Sequence, residues 1–300
     1  MKYRYKLGKT VYETDQTITA GILLLPTLFA LVFLLIYPVV NLLYLSFTQT
    51  NTITGISKFI GLGNYKFLLK NEIFRKAVGN TFIFTAVKLV LEVSISLVLA
   101  VMLDSRIPCK RFMRVCYFAP VIVPVVASSM VFMWLYDPQI GPINQLLKLL
   151  HLPTSNFIYS EKSALMSIIV FAVWRGIGYD IIVLISGLQG ISENAIEAAR
   201  IDGASELQIF FRVKLPLLRP IISFVVMMGL IGCFQAFTEV DIMTDGGPNN
   251  STMLMVNYIY KQAFGNSKMG RGAAASMILF VIILVFTVIQ KNMNDRKEAY

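Results

Sequence analysis

Two pairs of opposite charge sit in otherwise apolar stretches of this chain. Lys88 and Glu92 are four residues apart, which puts them on one face of a helix. Arg175 stands near Asp180 in the sequence. Ionisable groups at membrane depth are costly and usually face a bundle interior or a wet cavity. Two readings follow. Each pair closes on itself and fixes packing, or the charges line a path for a polar solute. Around Arg175, the residues Trp174, Gly176, Gly178, Tyr179 and Asp180 combine ring faces, permissive backbone and a hydrogen-bonding acid. Such groups can hold a polar solute by ring stacking and hydrogen bonding. The two glycines would open or unwind the helix there and make room for a ligand. Trp174 and Tyr179 would also suit interfacial anchors. Ser128 and Ser129 are weaker candidates for the same path, because serines in membranes often serve close helix packing.

Covalent and metal chemistry find no support. His151 is the one histidine, so neither a metal cluster nor a Ser/His/Asp arrangement can form around it. Cys109, Cys116 and Cys233 do not form a spaced pair of pairs and read as small packing residues. Gly8-Lys9-Thr10 imitates the end of a phosphate loop, but the glycine required five positions earlier is Tyr3. Asn249 and Asn250 fit the glycosylation pattern, which matters only in a eukaryotic secretory context. No cofactor or metal is expected on this chain.

The elements that position these residues follow from composition. The chain has 300 residues, of which 56% are hydrophobic and 15% charged, against about 25% charged in an ordinary globular protein. One soluble core of this size does not hide so much apolar surface. The expected fold is an all-α integral membrane protein with six transmembrane helices, at 18–48, 81–103, 115–136, 163–187, 220–240 and 272–290. The first block is too long for a signal-peptide core and should stay as a span, kinked or trimmed by Pro26 and Pro38. Segments 1–17 and 291–300 would flank the six-span domain, 18–290.

The net charge of +10 does not point to nucleic acid, since the basic residues lie scattered between apolar blocks. With both termini in the cytoplasm, the inner pieces carry 15 Lys and Arg in 70 residues and the outer pieces 10 in 89. That excess favours the N-in, C-in orientation. The loop 104–114, with Arg106, Lys110, Arg111 and Arg114, is its cleanest marker.

The inner segment 191–220 has a different grammar. It carries four acids and four bases, so gross charge does not drive its contacts. Ser192 would cap a first helix rich in Ala195, Ala198 and Ala199. Gly203 would supply positive φ at a tight turn. Ser205 and Glu206 would open a second helix, Arg212 and Lys214 would close it, and Pro216 and Pro220 would break into the fifth span. A helix-turn-helix held between spans four and five is suited to couple to a cytoplasmic partner.

This segment resembles the signature loop of permease subunits in binding-protein-dependent ABC importers. The family pattern is Glu-Ala-Ala, three residues, Gly, nine residues, Ile, any residue, Leu-Pro. Here Glu197-Ala198-Ala199, Gly203 and Leu215-Pro216 stand at that spacing, with Val213 in the Ile position. Other pieces are similar to the sugar-importing branch, specifically the first permease of a pair related to the maltose and glycerol-phosphate systems. They are the run from Gly61 to Tyr65, Asn80-Thr81, Gly187-Leu188-Gln189, and Thr244-Asp245-Gly246-Gly247-Pro248. The resemblance implies a bacterial cell-membrane subunit without ATPase activity of its own. ATP and Mg would bind a partner ABC ATPase dimer, docked on Glu197, Ala198, Ala199, Asp202, Gly203, Ala204, Leu215 and Pro216. A second homologous permease, an extracytoplasmic solute-binding protein and a carbohydrate would complete the system. It further implies sugar contacts at Gly176 and Tyr179 and along 232–237, namely Gly232, Cys233, Gln235, Ala236 and Phe237. Amide positions of the maltose pattern become Cys233 and Ala236, which argues for a different sugar. The rival class is an ion-coupled transporter or channel using Lys88, Glu92 and Asp180 as a charge relay.

Overall fold

The structure, a computed structural model, describes residues 4–7, 10–50, 55, 57–104 and 110–298. The core of the inner marker loop, including Arg106 and Cys109, lies outside the described residues, as do Gly8 and Lys9. A short hairpin, β1 (Arg4–Leu7) and β2 (Thr10–Glu13), leads into α1 (Thr14–Leu31) and α2 (Tyr37–Ser46). A π turn, Val32–Ile36, joins these two helices. Pro38 follows immediately, and a widened turn relieves the clash between a proline ring and the carbonyl one turn back. Leu23, Phe29 and Leu34 are 73%, 61% and 77% exposed, so this helix turns its apolar side chains away from the rest of the chain.

A second hairpin, β3 (Thr48–Thr50) and β4 (Ser57–Phe59), and α3 (Gly63–Lys70) precede the long α4 (Glu72–Asp104). Next come α5 (Lys110–Ile122), α6 (Val125–Leu135), α7 (Pro142–Leu149) and α8 (Ala164–Gln189). Segment 191–220 holds α9 (Glu193–Ile201), α10 (Glu206–Ile209) and α11 (Leu215–Leu217). The chain closes with α12 (Arg219–Phe234), α13 (Thr238–Met243), α14 (Met255–Tyr260) and α15 (Met269–Glu298). Helices α4 and α8 form the central pair. Helix α12 packs on α4, α15 on α12 and α2, α5 on α8, and α6 on α13.

Among the described residues, four helices are long and apolar enough to cross a bilayer, rising to six if each of two bent pairs counts as one span. Two expected spans therefore need correcting. Block 115–136 is not one rod: its halves meet at 108°, at Pro124, which cannot donate to the preceding turn. Block 220–240 is not continuous either, because α12 stops at Phe234 and α13 starts at Thr238.

Three buried clusters hold the bundle. Phe84, Phe171, Cys233 and Val240 belong to one; Leu68, Phe74, Tyr258 and Ala274 to the second; Ala100, Leu184, Leu188 and Leu218 to the third. The motifs 61–65, 80–81 and 244–248 act as struts. Asn64 Nδ2 donates to the carbonyls of Ser46 (2.9 Å) and Thr48 (2.8 Å), tying α3 to the end of the first span. Asn80 Nδ2 donates to the carbonyls of Asn250 and Met253, both at 3.1 Å, and the Met255 amide donates to Thr81 Oγ1 at 2.9 Å. Thr252 Oγ1 donates to the Gly247 carbonyl at 2.8 Å, inside the Gly-Gly-Pro turn.

Candidate functional site: an open cavity and a protruding loop

The break between α12 and α13 is local in origin. The Gln235 amide donates to the Ile231 and Gly232 carbonyls (3.2 Å each) and the Ala236 amide to the Cys233 carbonyl (3.3 Å), so the last turn tightens and stops. Asn257 Nδ2 donates to the Phe237 carbonyl at 3.2 Å and holds the broken backbone. Irregular backbone at membrane depth is tolerated where it is buried or lines a cavity. Here it lines a cavity of about 320 Å³. The walls come from Phe84 and Lys88 on α4, Val125 on α6, and Phe171, Ala172, Arg175 and Gly176 on α8. Gly232, Cys233, Gln235, Ala236 and Phe237 line it from the break, with Thr238 and Glu239 on α13.

Of the sequence candidates, the structure thus gathers Gly176, Gly232, Cys233, Gln235, Ala236, Phe237, Lys88 and Arg175 around one space. Trp174 and Tyr179 do not line it. Trp174 stacks near Phe132, with ring centroids 4.9 Å apart, and Tyr179 is 48% exposed. Ser128 and Ser129 are buried away from the cavity, and Ser128 Oγ donates to the Val125 carbonyl at 3.0 Å. Phe84, Phe171, Thr238 and Glu239 were not singled out from sequence. Glu239 is an acid inside the expected span 220–240, which is the signal that marks it.

The two charge pairs separate. Lys88 Nζ donates to Glu92 Oε2 in a buried i,i+4 ion pair. Arg175 and Asp180 form no ion pair. Five helical residues span about 140° of rotation beyond a full turn, so the two side chains leave α8 in different directions. Asp180 is buried on the face that meets α4, where Glu92 and Lys88 are its charged neighbours.

The expectation that Gly176 and Gly178 unwind the helix is overturned. Helix α8 runs unbroken from Ala164 to Gln189. The two glycines instead allow close approach: a Cβ at Gly176 would collide with the Glu92 carboxylate, and one at Gly178 with the Tyr117 carbonyl. Outside the spans, burial pushes the Tyr258 phenol up to about 12 against the pull of Arg271.

The loop 191–220 is built from short-range bonds. The Ala204 amide donates to the Ala199 carbonyl and the Gly203 amide to the Arg200 carbonyl, both at 3.0 Å, with Gly203 at φ +79°. That is the Schellman closure of a helix. Ser205 then caps α10 reciprocally with Gln208, its own amide donating to Gln208 Oε1 at 2.8 Å. Arg200 Nη2 lies 2.9 Å from Glu206 Oε1 across the turn. Two local expectations need correcting. Ser192 stands at the start of α9 without a side-chain cap bond. Pro216 does not break the helix, because a π turn, Phe210–Lys214, absorbs it and the 65° bend falls at Leu218. No residue of α9 is buried. Glu197, Ala198, Asp202 and Gly203 are exposed, whereas Leu215 and Pro216 are half-buried at the base. Ile209 and Leu218, both fully buried, root the loop in the bundle.

A bundle of apolar helices around a polar cavity at a broken helix, with a rooted helical hairpin at one end, is the architecture of a membrane transport component. Residues 92–298 match the family described as binding-protein-dependent transport system inner membrane component, and the chain belongs to that family. It is 33% identical to the multiple sugar-binding transport system permease protein MsmF of Streptococcus mutans over 92% of this chain and 95% of that one. It is 30% identical to the sn-glycerol-3-phosphate transport system permease protein UgpA of Pectobacterium atrosepticum, covering 93% and 95%. Among solved structures, a chain of a bacterial ABC transporter that imports the acidic polysaccharide alginate superposes with a TM-score of 0.83. The identity there is 21%, over 94% of this chain and 96% of that chain, so the shared property is the fold.

Proposed function

We propose that this chain is one permease of a heterodimeric ABC importer that brings a carbohydrate into a bacterial cell. The spans are six, with the bent pair α5–α6 crossing once, α12 crossing after the loop, and both termini in the cytoplasm. A second homologous permease completes the translocation path, and an extracytoplasmic binding protein delivers the solute. A cytoplasmic ATPase dimer, which holds ATP and Mg, docks on α9 and the Gly203 turn. The observation that carries this reading is the state of α9: a whole helix with no buried residue, held rigidly by a Schellman turn and rooted through Ile209 and Leu218. A helix closed at its C-terminal end, with every residue at least partly exposed, is available to a partner. Closure of the ATPase dimer on ATP moves the hairpin, which transmits the motion through Leu218 and α12 to the cavity wall at the break. Two states with access from opposite sides then alternate.

The test is co-purification. Detergent-solubilised wild-type chain should bring down an ATPase, and Glu197→Lys should reduce that yield with the second permease still bound. Equal ATPase recovery from both would refute the docking assignment. The names of UgpA and MsmF give sn-glycerol 3-phosphate and multiple sugars as the solutes of those relatives. The neutral Gln235 amide and the ring of Phe237 supply matching groups in the cavity.

A further inference from the structure

Arg175 and Lys88 both line the cavity, but their charges are not equally available. Lys88 is matched by Glu92 in a buried pair. Arg175 makes no ion pair among the described residues, and its Nε is shut away from solvent without a hydrogen-bond acceptor. Asp180, the acid nearest in sequence, leaves α8 in another direction. Glu239 shares the cavity wall but forms no ion pair with Arg175. A guanidinium held at membrane depth without an acceptor is costly, and a planar fork of donors matches an oxyanion in two-point geometry.

We propose that Arg175 is an anion-binding position in the cavity, and that the solute is a carbohydrate or polyol carrying a carboxylate or phosphate. The inference rests on the carbohydrate-importer reading and narrows its substrate class. The remaining cavity groups suit the rest of such a molecule. Gln235 and Glu239 accept from hydroxyls, and Phe237 offers a ring face. A neutral sugar would leave the Arg175 fork facing hydroxyls alone, which pair more weakly with a cation than an oxyanion does.

The experiment uses the whole transporter, with its second permease and ATPase, in lipid nanodiscs. Equilibrium binding is measured for trigalacturonate, for the same trisaccharide with its carboxyls reduced to alcohols, and for glycerol 3-phosphate. Wild type should bind at least one of the two anions roughly tenfold or more tighter than the reduced trisaccharide. Which anion it binds distinguishes a carboxylate from a phosphate solute. Arg175→Gln should abolish that preference, and Arg175→Lys should retain part of it. Equal wild-type binding of anionic and neutral probes overturns the inference but leaves the carbohydrate reading standing. Binding of no probe at all overturns both. Loss of the second permease from purified Arg175→Gln complex would assign Arg175 to an acid across the subunit interface and also overturn the inference.

Discussion

The hydrogen bonds that shape the Gly203 turn join residues no more than six apart, from Ala199–Ala204 to Arg200–Glu206. The cavity instead draws its wall from Phe84 to Glu239, on five helices and a break. The loop is exposed and self-contained, so its parts can be altered singly. The cavity is a meeting of surfaces, so a change in one wall is felt in the others. This contrast explains why a spacing pattern marks the loop while the cavity's composition depends on how helices cross.

The contrast predicts a graded series of effects. Glu92→Ala should be the most damaging. It leaves the Lys88 ammonium buried without its partner and should cost about 3–5 kcal/mol in thermal or denaturant unfolding. The double variant Lys88→Met, Glu92→Leu should recover most of that loss; a double variant as unstable as the single one would show that an unpaired buried charge is not its cause. Gly203→Val should come next, at about 1–3 kcal/mol of local strain. A Cβ at Gly203 meets nothing within 4 Å, so the penalty is one of backbone conformation and not of crowding. Gly203→Asn should therefore preserve ATP-driven uptake where Gly203→Val loses it, and equal loss in both would contradict this account. Ser205→Ala removes one side of a capping box and should cost about 1 kcal/mol, read as faster proteolysis or amide exchange of the loop. Glu206→Ala should change stability by no more than about 0.5 kcal/mol, since it opens an exposed ion pair. For transport, Gln235→Ala should raise KM for uptake several-fold, while Trp174→Ala leaves KM unchanged. The reverse result would move the path from the α12 break to the Phe132–Trp174 cluster.

The residues that sequence reasoning placed well are those whose chemistry is local. The i,i+4 spacing of Lys88 and Glu92 is enough for them to meet, because both lie on one helix. The i,i+5 spacing of Arg175 and Asp180 looks similar on paper but crosses to another face. Pro124 lies inside the expected span 115–136, and only the tertiary structure shows that the chain turns there by 108°. The stop at Gln235 had no Pro to announce it. The motif at 61–65 and the pair Asn80-Thr81 were legible as signatures, but their work as hydrogen-bonding struts was not. Their acceptors, at Ser46, Thr48, Asn250 and Met253, lie elsewhere in the chain.

Taken alone, the amino-acid order determined that this chain belongs in a membrane, which stretches are apolar enough to form its helices, and where the hairpin at 191–220 must turn. Those properties depend on transfer free energy and on backbone rules that act within a few residues. The tertiary structure alone decided which side chains share the cavity, which cation there is left without a partner, and that two glycines serve close approach and not flexibility. Such properties arise from the rotation of each helix about its axis and from the contacts between helices, and these are settled by packing across the whole bundle.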